Sequence, residues 1–199
     1  MTATATDGLW LVTLHGVCAR AAHELKGALN GVAVNLEVVR SRALQANAPA
    51  ANVSTFAGAA VDQLSVVIRM TEALLFLARP IREPAGPGLL LARLHALLGP
   101  AAQADGRRLE LNGDFGDLGV TSAAGSAVGM SVGSCVLAAV DASSDVHCRP
   151  VFDGPAPGIC IECGDGAVPS IDSEIMSAAA DAGIQIVVES SVIIISFPR

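Results

Sequence analysis

Apolar side chains recur at intervals of three and four along the first part of the chain: Leu11, Leu14, Cys18, Ala21, Leu25, Ala28, Val32, Asn35 and Val39. Ala22, Leu29 and Leu36 widen that stripe. The spacing predicts an amphipathic helix with a heptad-like seam, interrupted by a single polar position, Asn35. Residues 45–54 break the pattern with Asn47, Pro49, Asn52 and Ser54 and read as a connecting loop, with Ser54 placed to cap the next helix. A second periodic run, Phe56, Ala60, Leu64, Val67, Met70, Leu74 and Leu77, stops at Arg79-Pro80, where proline prevents the helix from continuing. Two amphipathic helices joined by a short loop form an antiparallel pair. Such a pair cannot enclose a full core alone, and a second copy of the chain would complete a four-helix bundle.

Beyond the hairpin the periodicity changes. Residues 80–88 hold Pro80, Pro84, Pro87, Gly86 and Gly88 and read as a linker. Residues 89–98 predict a short helix, 108–112 a strand and 126–140 a buried helix. Residues 146–152 and 158–163 predict strands, 171–182 a helix, and 184–197 a hairpin turning at Glu189-Ser190-Ser191. The expected architecture is therefore a helical hairpin over residues 8–80 followed by an α/β domain over residues 88–199. Its helices should cover one face of a mixed sheet.

Composition narrows the function classes. Hydrophobic residues make up 52% of the chain but aromatics only 3%, so the core must be built from aliphatic side chains. Base-stacking nucleic-acid modules are disfavoured. Up to residue 108 there are ten Lys/Arg against seven Asp/Glu; after it there are two against twelve. Such a break is a hint of a domain boundary near residue 108, and the acidic half should repel nucleic acid and free nucleotides. The N-terminal residues lack a basic start before their apolar run, so no secretory signal is expected. The uncharged stretch 119–140 is long enough to span a bilayer, but its four Ser, its Thr and its internal Gly fit a helix packed inside a domain. Five cysteines without a secretory signal point to a reducing cytoplasm. Cys160 and Cys163 form a C-x-x-C with no second pair, and in an alternating strand they face opposite ways, so both read as core thiols.

One constellation carries candidate chemistry. With Cys18 and Leu25 at a-type positions, His23 falls at f, pointing away from the seam into solvent. A histidine there is most often merely solvated. Its neighbours set this one apart. Arg20 and Lys26 lie three residues to either side and share its face. Glu24 can orient the ring or accept its proton. Gly27, Asn30, Gly16 and Gly31 keep the surrounding surface low, leaving room for a bulky partner. Phosphoryl transfer needs an in-line approach and charge neutralisation, and little covalent machinery beyond a nucleophile.

The run His23-Glu24-Leu25-Lys26-Gly27-Ala28-Leu29-Asn30 resembles the H-box of sensor histidine kinases, commonly His-Glu-Leu-Arg-Thr-Pro-Leu, in which the His is phosphorylated and the acidic neighbour assists. It departs at Ala28, where Pro is usual, and at Gly27, where Ser or Thr is common. Residues 108–112 followed by 126–140 are similar in order to the strand and N-box helix of the kinase ATP-binding domain, yet 126–140 contains no Asn to hold magnesium and phosphates. Residues 158–169 resemble the strand and first glycine box, with Gly164 where the adenine-binding Asp is expected. Residues 183–190 resemble the family's final hairpin, and no Gly-rich lid precedes it.

A kinase-like scaffold without its nucleotide ligands resembles, over residues 10–197, the dimeric histidine phosphotransferases of the ChpT type. That resemblance implies a homodimer relaying a phosphoryl group between receiver-domain aspartates of response regulators through His23. Glu24 would serve the ring, and Arg20, Lys26, Gly27 and Asn30 the phosphoryl group or the partner. It implies no ATP and no cofactor or metal of the chain's own, the Mg²⁺ belonging to the receiver, and no membrane or nucleic-acid partner. Two alternatives stay open: a non-catalytic pseudokinase that binds and regulates receivers or a kinase, and an active kinase with an unusual nucleotide site. Of the other histidines, His15 is expected to pack along the seam, while His95 and His147 read as isolated. Asp165, Asp172 and Asp181 read as solvated charges.

Overall fold

A computed structural model describes residues 3–45, 49–79, 85–152 and 156–199. Two long helices, α1 (Ala3–Ala43) and α2 (Ala50–Leu77), form an antiparallel hairpin. They are followed by α3 (Pro87–Ala104), β1 (Arg108–Leu111), α4 (Gly125–Ala142), β2 (Asp145–Val151), β3 (Gly158–Cys163), α5 (Ser173–Asp181), β4 (Gln185–Glu189) and β5 (Val192–Ser196). The sheet runs β1-β2-β3-β5-β4, with β1 parallel to β2 and every other pair antiparallel. A helical region thus precedes an α/β domain with a mixed five-stranded sheet.

Two helices differ from expectation in their limits. Helix α2 starts at Ala50, with Pro49 rather than Ser54 at its N-cap and φ −61°. Proline's fixed φ suits a helix start, and the small residues after it extend the helix upstream of the apolar run. Helix α3 runs from Pro87 past Gly99-Pro100 to Ala104. Buried Leu97, Leu98 and Ala102 hold both sides of that break against the core, so packing overrides the missing N–H of Pro100. Of the expected linker, residues 80–84 lie outside the described residues.

The sheet alternates between a helix-covered and an outer face, with Cys160 of β3 buried even on the outer one. Val146, Cys148, Ile159, Ile161, Cys163, Ile193 and Ile195 are buried on the helix-covered face, while Arg108, Glu110, His147, Arg149 and Glu162 occupy the other. The edge strand β1 is blunted from the side: His95 of α3 donates from Nε2 to the Leu109 carbonyl at 3.0 Å, occupying an acceptor that another strand would need.

Helices α1 and α4 run parallel and in close contact. A Cβ on Gly129 would lie 3.1 Å from the Trp10 ring, one on Gly133 2.7 Å from Thr13 Cγ2, and one on Gly16 3.4 Å from Leu137 Cδ1. Thr13 Oγ1 donates to the Leu9 carbonyl at 2.9 Å and sits 2.9 Å from Ser134 Oγ. Its one proton is thereby committed, so Ser134 donates in that pair. Arg20 then meets Asp141 at the end of α4. Glycines every fourth residue along α4 are what let Trp10 and Thr13 seat this deeply.

That contact redraws the expected seam. The buried positions at the start of α1 are Trp10, Thr13 and Val17, the first two packed against α4, whereas Leu11 is 63% exposed. His15 is exposed rather than packed. Farther along, Ala21 and Ala28 are buried, and Asn35 Nδ2 donates to Gln63 Oε1 of α2 at 3.0 Å. Leu29 and Leu36 remain 49% and 53% exposed, alongside Leu64, Ile68 and Leu75 on α2.

Helix α4, Gly125–Ala142, is long and apolar enough to cross a membrane, yet 67% of it is buried inside the fold. It is the central helix of the domain.

Gly133→Val should force Thr13 and α1 outward and lower stability by about 2 kcal/mol. Gly27→Ala, where a Cβ meets nothing within 4 Å, should raise it by about 0.5–1 kcal/mol. Urea unfolding followed by the fluorescence of Trp10, the sole tryptophan, checks both signs.

Candidate functional site

His23 stands exposed on α1, one turn beyond Arg20, where α1 leaves its contact with α4. It opens onto a cavity of about 280 Å³ between the hairpin and the α/β domain. From α1 the polar walls are Arg20, His23 and Glu24; from the domain they are Asp105, Arg107 and Asp141. The rest of the lining is small and apolar, from Ala19, the C-terminal half of α3, and Val140.

Three of the residues singled out from the sequence, Arg20, His23 and Glu24, therefore meet in one cavity. Lys26, Gly27 and Asn30 are exposed on α1 but do not line it. Arg20 is not free: its Nη2 bonds Asp141 Oδ1, with the side chains 36% and 59% exposed. An ion pair this exposed is worth little alone, but it fixes the direction of the arginine.

The domain's contribution escaped the sequence. Arg107 follows the Gly106 turn (φ 71°) after α3 and donates from Nη1 to the Val140 carbonyl, near the end of α4. Among the described residues it has no carboxylate within ion-pair distance. A second, more open cleft of about 950 Å³ is also lined by Arg107 and carries Arg69, His95, Arg108, Glu110 and Asp145. One signal for Asp141 was present: it is the first charge after a long uncharged run.

The turn after β3, where a glycine box was expected, is built for packing. A Cβ on Gly164 would lie 2.8 Å from Asp145 Oδ2, and the Gly164 amide donates to the Asp145 carbonyl at 2.7 Å. Asp165 is exposed, as expected of a solvated charge, and it also clasps its own turn. Its Oδ2 accepts from the Ser144 amide at 3.1 Å and its Oδ1 from the Ala167 amide at 3.2 Å. The nearby Ser143 hydroxyl foremost, and then the amides of Ser144 and Ala167 from which it accepts, hold its carboxyl down at about 2. Asp172 caps α5, its Oδ1 accepting from the Glu174 amide at 2.8 Å. His147 is not isolated: its ring lies 3.4 Å from Glu110 and 3.2 Å from Asp145. Among the described residues no group of three or more His, Cys, Asp or Glu is placed to hold a metal ion.

The cysteines are free, four of them buried and Cys18 half-buried. Burial pushes Cys148 up to about 12 and Cys160 up to about 11, which leaves both unreactive near neutrality.

No family model and no curated protein sequence matches this chain. Among solved structures, the histidine kinase AdeS of Acinetobacter baumannii is similar over 88% of this chain and 97% of its own, at 9% identity and a TM-score of 0.41. That likeness is distant, and the chemistry of the site rests on its own residues.

Folding favours the ionised form of Asp165, so its contribution is complete above the unfolded carboxyl value of about 4 and fades as pH falls through about 2. Carboxyl ¹³C titration should place its midpoint near 2. Asp165→Asn should destabilise the chain at pH 6, and by a shrinking amount as acid approaches that midpoint.

Proposed function

We propose that this chain is a histidine phosphotransferase of a two-component phosphorelay, resembling the ChpT type. The observation that carries the reading is the solvent-facing His23 at the mouth of a cavity shared with Arg20 and Arg107. A phosphorylated receiver aspartate presents an acyl phosphate. The unprotonated ring nitrogen of His23 attacks phosphorus, the N–P bond forms, and the receiver's carboxylate leaves with the P–O electron pair. The second ring nitrogen keeps its proton, with Glu24 beside it. Reversal onto another receiver completes the relay. Lys26, Gly27 and Asn30 lie on the open face where a response-regulator receiver would dock, bringing its own Mg²⁺. Residues 8–80 supply the phosphotransfer hairpin and residues 88–199 a degenerate ATPase-like domain that binds no nucleotide. The five free thiols agree with a cytoplasmic setting.

The reading includes a homodimer. Leu29 and Leu36, seven residues apart on α1, and Leu64, Ile68 and Leu75 on α2 form an uncovered apolar stripe of heptad spacing. A second hairpin laid against it would make a four-helix bundle and leave His23 outside. Leu29→Lys combined with Leu36→Lys should convert dimer to monomer in light scattering, with the Trp10 environment unchanged.

The decisive assay mixes the protein with a panel of radiolabelled phospho-receivers, beside ATP-only controls. Label should pass to the wild type, not to His23→Ala, and none should arrive from ATP. Receiver binding that survives His23→Ala while no label moves would instead favour a regulatory pseudokinase. Label arriving directly from ATP would mean an active kinase.

A further inference from the structure

We infer that Arg107, a residue of the α/β domain, is the cation that faces the phosphoryl group on His23; this inference rests on the phosphotransfer reading. Three observations lead to it. The cavity beside His23 holds two arginines, Arg20 and Arg107, of which Arg20 is committed to Asp141. The one partner that Arg107 has there is a neutral carbonyl, that of Val140, which fixes the guanidinium through one nitrogen while leaving its charge uncancelled and its other N–H donors available. The α1–α4 contact, ending in the Arg20–Asp141 pair, holds the end of α4 and the segment after α3 against the turn of α1 that carries His23.

The two arginines therefore divide the work. Arg20 is a positioning residue that ties the domain to α1 one turn before the histidine. Arg107 supplies the charge. A phosphoryl group on the imidazole would carry up to two negative charges into a cavity whose other ionisable walls are the carboxylates Glu24, Asp105 and Asp141. With Arg20 and Asp141 cancelling each other, Glu24 and Asp105 would repel it in the absence of Arg107. The N–P bond forms as the donor's bond to phosphorus breaks, the donor keeping that electron pair, and Arg107 exchanges no proton. Its part is electrostatic, strongest on the group in flight.

The test uses the full chain and the small donor phosphoramidate, so no receiver need be known. Phosphohistidine is followed by ³¹P NMR, with His23→Ala defining the background from other histidines. Wild type should acquire a His23-dependent signal. Arg107→Gln should form it roughly ten times more slowly, and the pH midpoint of its ³¹P shift should rise by about half to one unit, because a nearby cation favours the dianion. Arg107→Lys should restore most of both. A wild type without the His23 signal would sink the phosphotransfer reading itself. A normal wild type with unchanged rate and midpoint in Arg107→Gln would overturn only the role of Arg107. Slow labelling in both variants with an unmoved midpoint would also overturn it, since that pattern marks a support for the end of α4 and not a charge on phosphorus.

Discussion

The close approach of α1 to α4 is the constraint on which the rest of this structure depends. It is possible because α4 presents glycine at 129 and 133, and it is kept in register by the large ring of Trp10, the Thr13–Ser134 hydroxyl pair and the Arg20–Asp141 ion pair. These contributions differ in kind. Burying Trp10 removes a large apolar surface from water and supplies most of the attraction. The hydroxyl pair satisfies groups that burial would otherwise leave unpaired. The ion pair is too exposed to hold the domain by itself. Because α1 is one continuous helix, fixing its first five turns also fixes the rotation of the sixth, which carries His23. Domain packing and the accessibility of the histidine are thus one geometric fact.

Much of the fold is legible in the sequence because each element buries one face. The strands show period two, and their predicted limits agree with β1 to β5 to within two residues. The hairpin of β4 and β5 turns at Ser190, which takes a positive φ of 53°. Apart from the early start of α2, the departures share a cause: tertiary contact overrides local rules. Pro100 marks a helix stop by itself, but the leucines before it and Ala102 after it reach the same core. The apolar stripe of α1, counted as one seam, implies one neighbour. The helix has two. Trp10 and Thr13 serve the domain, Val17, Ala21 and Ala28 are buried farther along, and Leu11, Leu29 and Leu36 serve neither. A heptad count cannot say that the partner changes part-way along a helix.

The candidate site divides in the same way. His23, Glu24 and Arg20 are legible because a helix places residues three apart on one face, whatever else the chain does. Arg107 and Asp141 are not, because their relation to His23 exists only through the packing of α3 and α4 against α1. The charge pattern holds a partial hint. Asp141 ends the long uncharged run, and Arg107-Arg108 are the last cations before the acidic half begins.

That acidic half also bears on why one arginine should matter. An anionic domain packed beside a nucleophile that must receive a phosphoryl group is an electrostatic handicap, and Asp141 worsens it by neutralising Arg20. Two features offset the handicap. Glu110, Asp145 and Glu162 are occupied with Arg108, His147 and Arg149 on the outer face of the sheet, away from the helix-covered side. Asp165 is engaged by backbone amides of its own turn. The cation left without a carboxylate in the cavity is the one anchored to a neutral carbonyl. A guanidinium held that way keeps its full charge and loses little freedom when an anion arrives, which is the arrangement that favours a phosphoryl group over a resting carboxylate.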